Sequence, residues 1–261
     1  TDLDRMSTYT NNFNNSEIKG QQAFKTNSST PSIGNNLLVR RKFQRRGRTL
    51  SLNVNTSFND SNSENYNDIQ NYITNSLGTS QDFTNQFNDS KSNSLSNTAR
   101  LVFTEPLSKT LSLELNYENR YNFSDSERLT YNFNPVTSRY DQLDETYSNN
   151  YENTTLTNAV GFSFNKTAKK YTWNAGLAVQ NTDRENNNIT TGNVINQNFY
   201  NLTPSAQFRY TFSNSKRLRV NYRGNTQQPS ISQIQPIPDN SDTQSLPIGN
   251  PNLKPSFTNN L

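Results

Sequence analysis

Apolar and polar residues alternate along several stretches of this chain, and a tight turn interrupts each pair of stretches. Leu50, Leu52, Val54 and Phe58 share one parity, while Thr49, Ser51, Asn53, Asn55 and Ser57 take the other. Leu111, Leu113, Leu115 and Tyr117 oppose Ser112, Glu114, Asn116 and Glu118. The same holds for Val160, Phe162 and Phe164, for Tyr171, Trp173, Ala175, Leu177 and Val179, for Ala206, Phe208, Tyr210 and Phe212, and for Leu218, Val220 and Tyr222. Successive side chains of a strand point to opposite faces, so each stretch is a strand with one greasy and one wet side. Helical spacing at i, i+3 and i+4 is absent over these windows.

The spacing predicts strands over 35–44, 48–59, 96–104, 110–123, 154–165, 171–183, 200–213 and 217–226, with a ninth starting near Leu253. Residues 1–33 read as a polar loop holding one ragged strand around Tyr9 to Phe13. Four short basic turns join consecutive strands: Arg45-Arg46-Gly47-Arg48, Pro106-Leu107-Ser108-Lys109, Thr167-Ala168-Lys169-Lys170 and Asn214-Ser215-Lys216-Arg217. Strands joined by so few residues are antiparallel neighbours. The other connections, over 60–95, 124–153, 184–199 and 227–252, are long and polar, although Leu129, Tyr131 and Phe133 still alternate, so strands are expected to run on before turning. Tight turns on one side and long loops on the other are the layout of a transmembrane antiparallel up-and-down β-barrel, with the turns in the periplasm. Phe43, Phe103, Phe164, Tyr171, Trp173 and Phe212 all fall close to a short turn, where an interfacial aromatic girdle is expected.

Composition removes the main alternatives. Only 29% of 261 residues are hydrophobic and the mean hydropathy is −1.00, too little apolar material to fill a two-layer soluble core of this size. The abundance of Asn, Ser and Thr would suit disorder, but 15 Phe, 13 Tyr and the period-two pattern do not. A barrel in lipid resolves the conflict, because its apolar residues form a thin outward band while lumen and loops stay polar. No run approaches the ~20 apolar residues of a spanning helix. A membrane-spanning chain of this kind crosses as closed strands, which alone besides helices satisfy the backbone in hydrocarbon.

The chemistry-bearing residues are few. Without Cys or His there is no disulfide framework, no thiolate or imidazole metal site and no Ser-His or Cys-His catalysis. Glu114 and Glu118 lie on the polar side of one strand and read as solvated lumen charges. No catalytic role, cofactor or metal is expected. The net charge of +4 is concentrated at the turns, as in Arg40, Arg41, Lys42, Arg45, Arg46 and Arg48 and in Lys166, Lys169 and Lys170. Cations at strand ends meet headgroups of outer-membrane lipid, and no stripe on a reading element argues for nucleic acid. Parity points Arg40, Arg100, Arg209, Arg219 and Arg223 inward, giving a cationic lumen wall that favours anionic solutes or pairs with carboxylates held inside the barrel.

The stretch Gln228 to Pro236, followed by Gly249, Asn250, Pro251, Asn252, Leu253, Lys254 and Pro255, resembles the hallmark of the barrel of TonB-dependent receptors. There a proline-containing loop precedes a Gly-Asn-Pro-x-Leu-Lys-Pro-Glu type sequence that opens the next downward strand; Ser256 here replaces the acidic residue. Leu38-Val39-Arg40-Arg41-Lys42-Phe43 leading to Gly47-Arg48-Thr49-Leu50-Ser51-Leu52, and Phe103-Thr104-Glu105-Pro106-Leu107, are similar to the same family and occur in its order. The physical sense of the last motif stands without the family, since its prolines cannot donate to a sheet ladder.

The resemblance implies a Gram-negative outer-membrane barrel of about 22 strands around an N-terminal plug, driven by TonB and taking up a bulky ligand. No plug, TonB-contacting box or C-terminal aromatic strand is found, so residues 1–261 are expected to be a single internal portion of about eight to ten strands. The leading function is therefore a receptor or transporter that captures its ligand through long extracellular loops. The alternative is a non-transporting barrel that scaffolds a surface complex, with surface lipoproteins or other outer-membrane subunits as partners. An adhesin or solenoid would need a short fixed repeat, and the turn spacings are too long and unequal for one.

Overall fold

The computed structural model describes residues 2–13, 16–76, 78–227, 229–234, 249–250 and 253–261. In chain order the strands are β1 (Asp2–Phe13), β2 (Ser16–Ser29), β3 (Ser32–Lys42), β4 (Thr49–Asn75), β5 (Gly78–Pro106), β6 (Leu111–Asn134), β7 (Arg139–Leu143), β8 (Asn149–Thr167), β9 (Tyr171–Asn188), β10 (Asn193–Ser213), β11 (Lys216–Gln227) and β12 (Ser256–Asn260). A single helical turn, α1 (Ile231–Ile234), follows β11. All pairings are antiparallel, and the twelve segments form one sheet in the order β1-β2-β4-β5-β6-β8-β9-β10-β11-β12. Among the described residues β1 and β12 do not pair with each other, so the sheet is open.

Twelve segments occupy ten positions across the sheet. Strands β2 and β3 lie end to end along β4 in one register, from Glu17 opposite Thr74 to Lys42 opposite Thr49. They are separated at Thr30-Pro31 because proline has no N–H for the ladder, although its carbonyl still accepts from Asp60 N–H at 3.1 Å. Strands β7 and β8 likewise follow one another along β6. All four predicted short turns are present. In the first, Gly47 has φ of 90°, a left-handed conformation that suits glycine, and Arg48 N–H closes the turn on the Arg45 carbonyl at 3.0 Å.

Two loop expectations are overturned. Residues 1–33 are not a loop with a ragged strand; β1 and β2 form a complete hairpin from Asp2 opposite Asn27 to Phe13 opposite Ser16. The stretch 60–95 is not a loop either but the upper part of the β4–β5 hairpin, paired without a slip from Thr49–Thr104 to Asn75–Gly78. Much of 124–153 and 184–199 is strand as well. The physical reason is that alternation records contact with lipid. Beyond the bilayer polar residues dominate both faces, so the ladder continues with little alternation to betray it. The 227–252 loop lies mostly outside the described residues.

The register sorts side chains into two faces. One carries Leu50, Leu52, Val54, Phe58, Leu101, Phe103, Leu113, Leu115, Phe162, Leu177, Val179, Phe208 and Val220, many of them exposed, such as Leu115 at 47% and Val179 at 48%. The opposite face holds Asn71, Gln86, Asn88, Thr130, Asn153, Thr157, Ser163, Thr182 and Asn186, all buried. Polar side chains are enclosed while apolar ones stand free only if the sheet curls toward its polar side, which is the inside-out arrangement of a barrel wall. On the outer face the apolar residues sit toward the short turns. Above them come Asp60 and Glu64, Asp89 and Lys91, Asp125 and Glu127, Glu152, Asp183 and Glu185. Strands β4 and β5 have 27 and 29 residues, whereas a tilted strand crosses a bilayer in about 9–11. More than half of this hairpin therefore stands outside the membrane.

Candidate functional site

The inner face is unevenly charged. Along β5 and β6 both signs occur: Arg100 is opposite Glu118, which is ion-paired with Arg120 at 2.5 Å. From β8 to β12 the strand positions of the inner face carry Arg184, Arg209, Arg217, Arg219 and Arg223 and not one carboxylate. The acids of these strands, Glu152, Asp183 and Glu185, have the opposite parity. Arg209 and Arg219 are directly opposite each other, a like-charge pair that costs a fraction of a kcal/mol and earns nothing for the fold, roughly 0.2–1 kcal/mol. Arg219 Nε donates to Asn221 Oδ1 at 3.1 Å, and none of Arg184, Arg209, Arg217, Arg219 and Arg223 forms an ion pair among the described residues.

Small residues floor this surface. Glu114, Ser163, Gly176, Ser205 and Arg223 form one rung across β6, β8, β9, β10 and β11, flanked by Gly161, Ala178 and Thr203 on the next. A Cβ on Gly176 would lie 2.9 Å from Ser163 Cβ and 3.0 Å from the Phe162 carbonyl oxygen, so close approach of the strands requires glycine there. The result is a trough of 570 Å³ with Arg100 and Glu114 at one end and Asn221 and Arg223 at the other.

Above the apolar band the inner face closes over. Tyr151 is 4% exposed, its hydroxyl accepts from Asn188 Nδ2 at 3.1 Å, and burial pushes its pKa up to about 12. Thr157 and Thr182 share a hydrogen bond of 3.2 Å. Arg184 Nη1 donates to the Pro229 carbonyl at 2.9 Å, which brings the chain after β11 onto this face, and burial lowers the pKa of the Arg184 guanidinium. The outer face at this end bears an aromatic cluster instead. Tyr66, Phe87 and Tyr131 form one rung, Tyr140 packs 5.6 Å from Tyr66, and its hydroxyl donates to Asn85 Oδ1 at 2.8 Å. A groove of 460 Å³ beside them is lined by Met6, Ala23 and Lys25.

Of the residues singled out from the sequence, Arg40, Arg100, Arg209, Arg219 and Arg223 all fall on the inner face. The last three are near neighbours on β10 and β11, whereas Arg40 lies on β3 and Arg100 on β5. In the proline-rich motif, Asn250 N–H donates to the Gln233 carbonyl at 2.7 Å and Leu253 N–H to the Asn250 carbonyl at 3.2 Å. Gly249, Leu253, Lys254 and Pro255 are also described, while Pro251 lies outside the described residues. Sequence reasoning missed Arg184, Arg217, Asn153 and Asn186. Extending the parity of the 171–183 strand by a single residue would have found Arg184. It also missed the link between the first two turns, where Glu105 accepts from Arg48 Nε at 2.6 Å and from Arg45 Nη1 at 2.5 Å.

This curled, inside-polar antiparallel sheet defines an outer-membrane barrel wall. The chain belongs to the outer membrane protein beta-barrel family, whose model matches residues 41–261, and its place is the outer membrane. No curated protein matches it. Among solved structures, the ferric citrate transporter FecA in the unliganded form is similar with a TM-score of 0.45 and 11% identity, over 81% of this chain and 36% of that one. The siderophore receptor PiuA from Acinetobacter baumannii gives 0.42 and 10%, over 86% of this chain and 44% of that one. The chain thus spans less than half the length of either structure.

Proposed function

We propose that these residues form part of the wall of a TonB-dependent type receptor, which takes up or binds a bulky ligand through its extracellular extensions. The observation that carries this reading is the inner face itself. Five arginines with no carboxylate partner among the described residues line strands β9 to β11, which a barrel needs only if something anionic, solute or plug, comes to rest there. The Gly-Asn-Pro-x-Leu-Lys-Pro resemblance supports the family type. The long β4–β5 hairpin supplies a surface outside the bilayer on which a ligand can first be caught. A plug domain and TonB are the partners this reading requires in the full-length protein.

A second reading, a scaffold of a surface complex, draws on the Tyr66, Phe87, Tyr131 and Tyr140 cluster, because aromatic side chains above the lipid band suit contact with another protein such as a surface lipoprotein. Comparing spent medium from cells with and without the full-length protein separates the two. Transport predicts at least one solute that is depleted only when the protein is present and the membrane is energised. Unchanged medium together with loss of a co-purifying subunit would contradict transport and favour the scaffold.

A further inference from the structure

Three polar groups of the upper inner face are left in an unfavourable state by the described residues. Asn186 is 3% exposed, and neither its Nδ2 nor its Oδ1 has a hydrogen-bond partner among the described residues. Asn153, directly opposite it on β8, is 6% exposed with an unpartnered Oδ1. Arg184 sits two residues from Asn186 on the same face of β9, about 7 Å along the strand. It is partly buried, and among the described residues it forms no ion pair and donates only to the neutral Pro229 carbonyl. Each buried unpartnered polar group costs about 1–3 kcal/mol, and a desolvated cation without a counter-charge costs more. Ordered water would satisfy the two carboxamides but leave the guanidinium uncompensated.

The charges around the group agree. Strands β8, β9 and β10 all pack here, and on the inner face they carry no acidic side chain. The nearest inner-face charges on β6 are Arg120, paired with Glu118, and Arg128; on β11 they are further arginines. We propose that Arg184, Asn186 and Asn153 form a binding subsite for an oxyanion, the carboxylate or phosphate group of a hydroxyl-bearing solute. The Pro229 carbonyl oxygen marks where one anion oxygen bonds the guanidinium, and the carboxamides take the neighbouring oxygens and hydroxyls, donating through Nδ2 and accepting through Oδ1. The subsite stands whether or not the barrel transports, since binding alone satisfies it.

The test uses the purified full-length protein in lipid nanodiscs, titrated calorimetrically with glucose 6-phosphate and with glucose. The expected result is saturable binding of the phosphate ester and none of glucose, weakened about 10-fold or more by Arg184→Gln, as loss of a charge-assisted hydrogen bond requires. Asn186→Ala weakens binding less, and Arg41→Gln on the outer face leaves it unchanged. Hydrogen exchange of residues 229–234 should rise on binding, because the anion displaces the Pro229 carbonyl. A heat-modifiable gel shift confirms that each variant folds, and Arg184→Lys, which keeps the charge, should retain partial binding. No saturable binding, equal binding of glucose, or equal loss with Arg223→Gln would overturn the proposal. So would binding that emerges only after Asp239 and Asp242 are changed to Asn, which would assign Arg184 to a carboxylate of the chain itself.

Discussion

Arginine at Leu115 and arginine at Asn116 should differ sharply in cost although the two positions are adjacent. Leu115 lies on the outer rung Leu50–Phe103–Leu115–Phe162–Leu177, with apolar neighbours on both sides. It is four residues from Leu111 at the turn end of β6, about 14 Å along the strand, or about 10 Å of depth at a tilt of about 40°. That puts it near the middle of an apolar band about 25 Å tall, where a lipid-facing arginine costs about 2–4 kcal/mol. Leu115 is 47% exposed in the sheet and faces lipid, so its removal leaves no internal cavity to add to this. At Asn116 the same side chain would enter the inner face, opposite Gly161, with Glu114 and Glu118 two residues away on the same face. There it meets water and carboxylates, and the expected cost is below about 1 kcal/mol, the usual range for an exposed polar exchange. Urea unfolding of the full-length protein in phospholipid vesicles measures both. A difference of about 2 kcal/mol is expected, and equal destabilisation at the two positions would refute the assignment of faces.

Three further outcomes follow from the same geometry. The Arg48 side chain, by its hydrogen bond to Glu105, holds that carboxyl below the usual carboxylate range. Its stabilising contribution is present above the unfolded-state pKa and lost as pH falls through the lower folded-state value; Glu105→Gln should therefore flatten the dependence of unfolding between neutral pH and about pH 3, and an unaltered slope would refute the tie between the first two turns. Gly176→Val should destabilise the protein by about 1–3 kcal/mol through overpacking against Ser163 and Phe162, whereas Gly78→Ala, with open space around its Cβ, should cost only the strain of its φ of 129°. Deleting residues 239–246 should leave the barrel folded, as judged by gel migration, yet weaken ligand uptake or partner binding; unchanged function would argue against a capture role for that loop.

The part of the fold that touches lipid was legible in the sequence because period two is a local signal imposed by a one-sided apolar environment. Leu111 to Tyr117 announces β6 without help from the rest of the chain. Ser16 to Ser29 announces nothing, since Gln21, Gln22, Thr26, Asn27 and Ser28 are polar on both faces, yet this strand pairs with β1 and β4 along its length. What holds it is the backbone ladder on both sides, bridged over Gly20 by the hydrogen bond of Tyr9 on β1 to Asn71 on β4. Neither leaves a periodic trace. The candidate site divides along the same line. Arg209, Arg219 and Arg223 sit inside the alternating stretches and could be placed by parity. Arg184, Asn153 and Asn186 sit above the apolar band, where parity persists but is no longer written in hydrophobicity, and the closing contact with Pro229 joins positions 45 residues apart.

The central claim is that a lipid-spanning wall carries its basic turns inside the cell envelope and its long strand extensions outside. Residues 1–261 contain no cysteine, so single cysteines can be introduced at Ser76, beside the tip of the β4–β5 hairpin, and at Lys169, in the third short turn, without background from this stretch. Intact cells treated with a membrane-impermeant maleimide should label the Ser76→Cys protein at once and the Lys169→Cys protein only after lysis. Labelling of Lys169→Cys but not Ser76→Cys in intact cells would contradict the account.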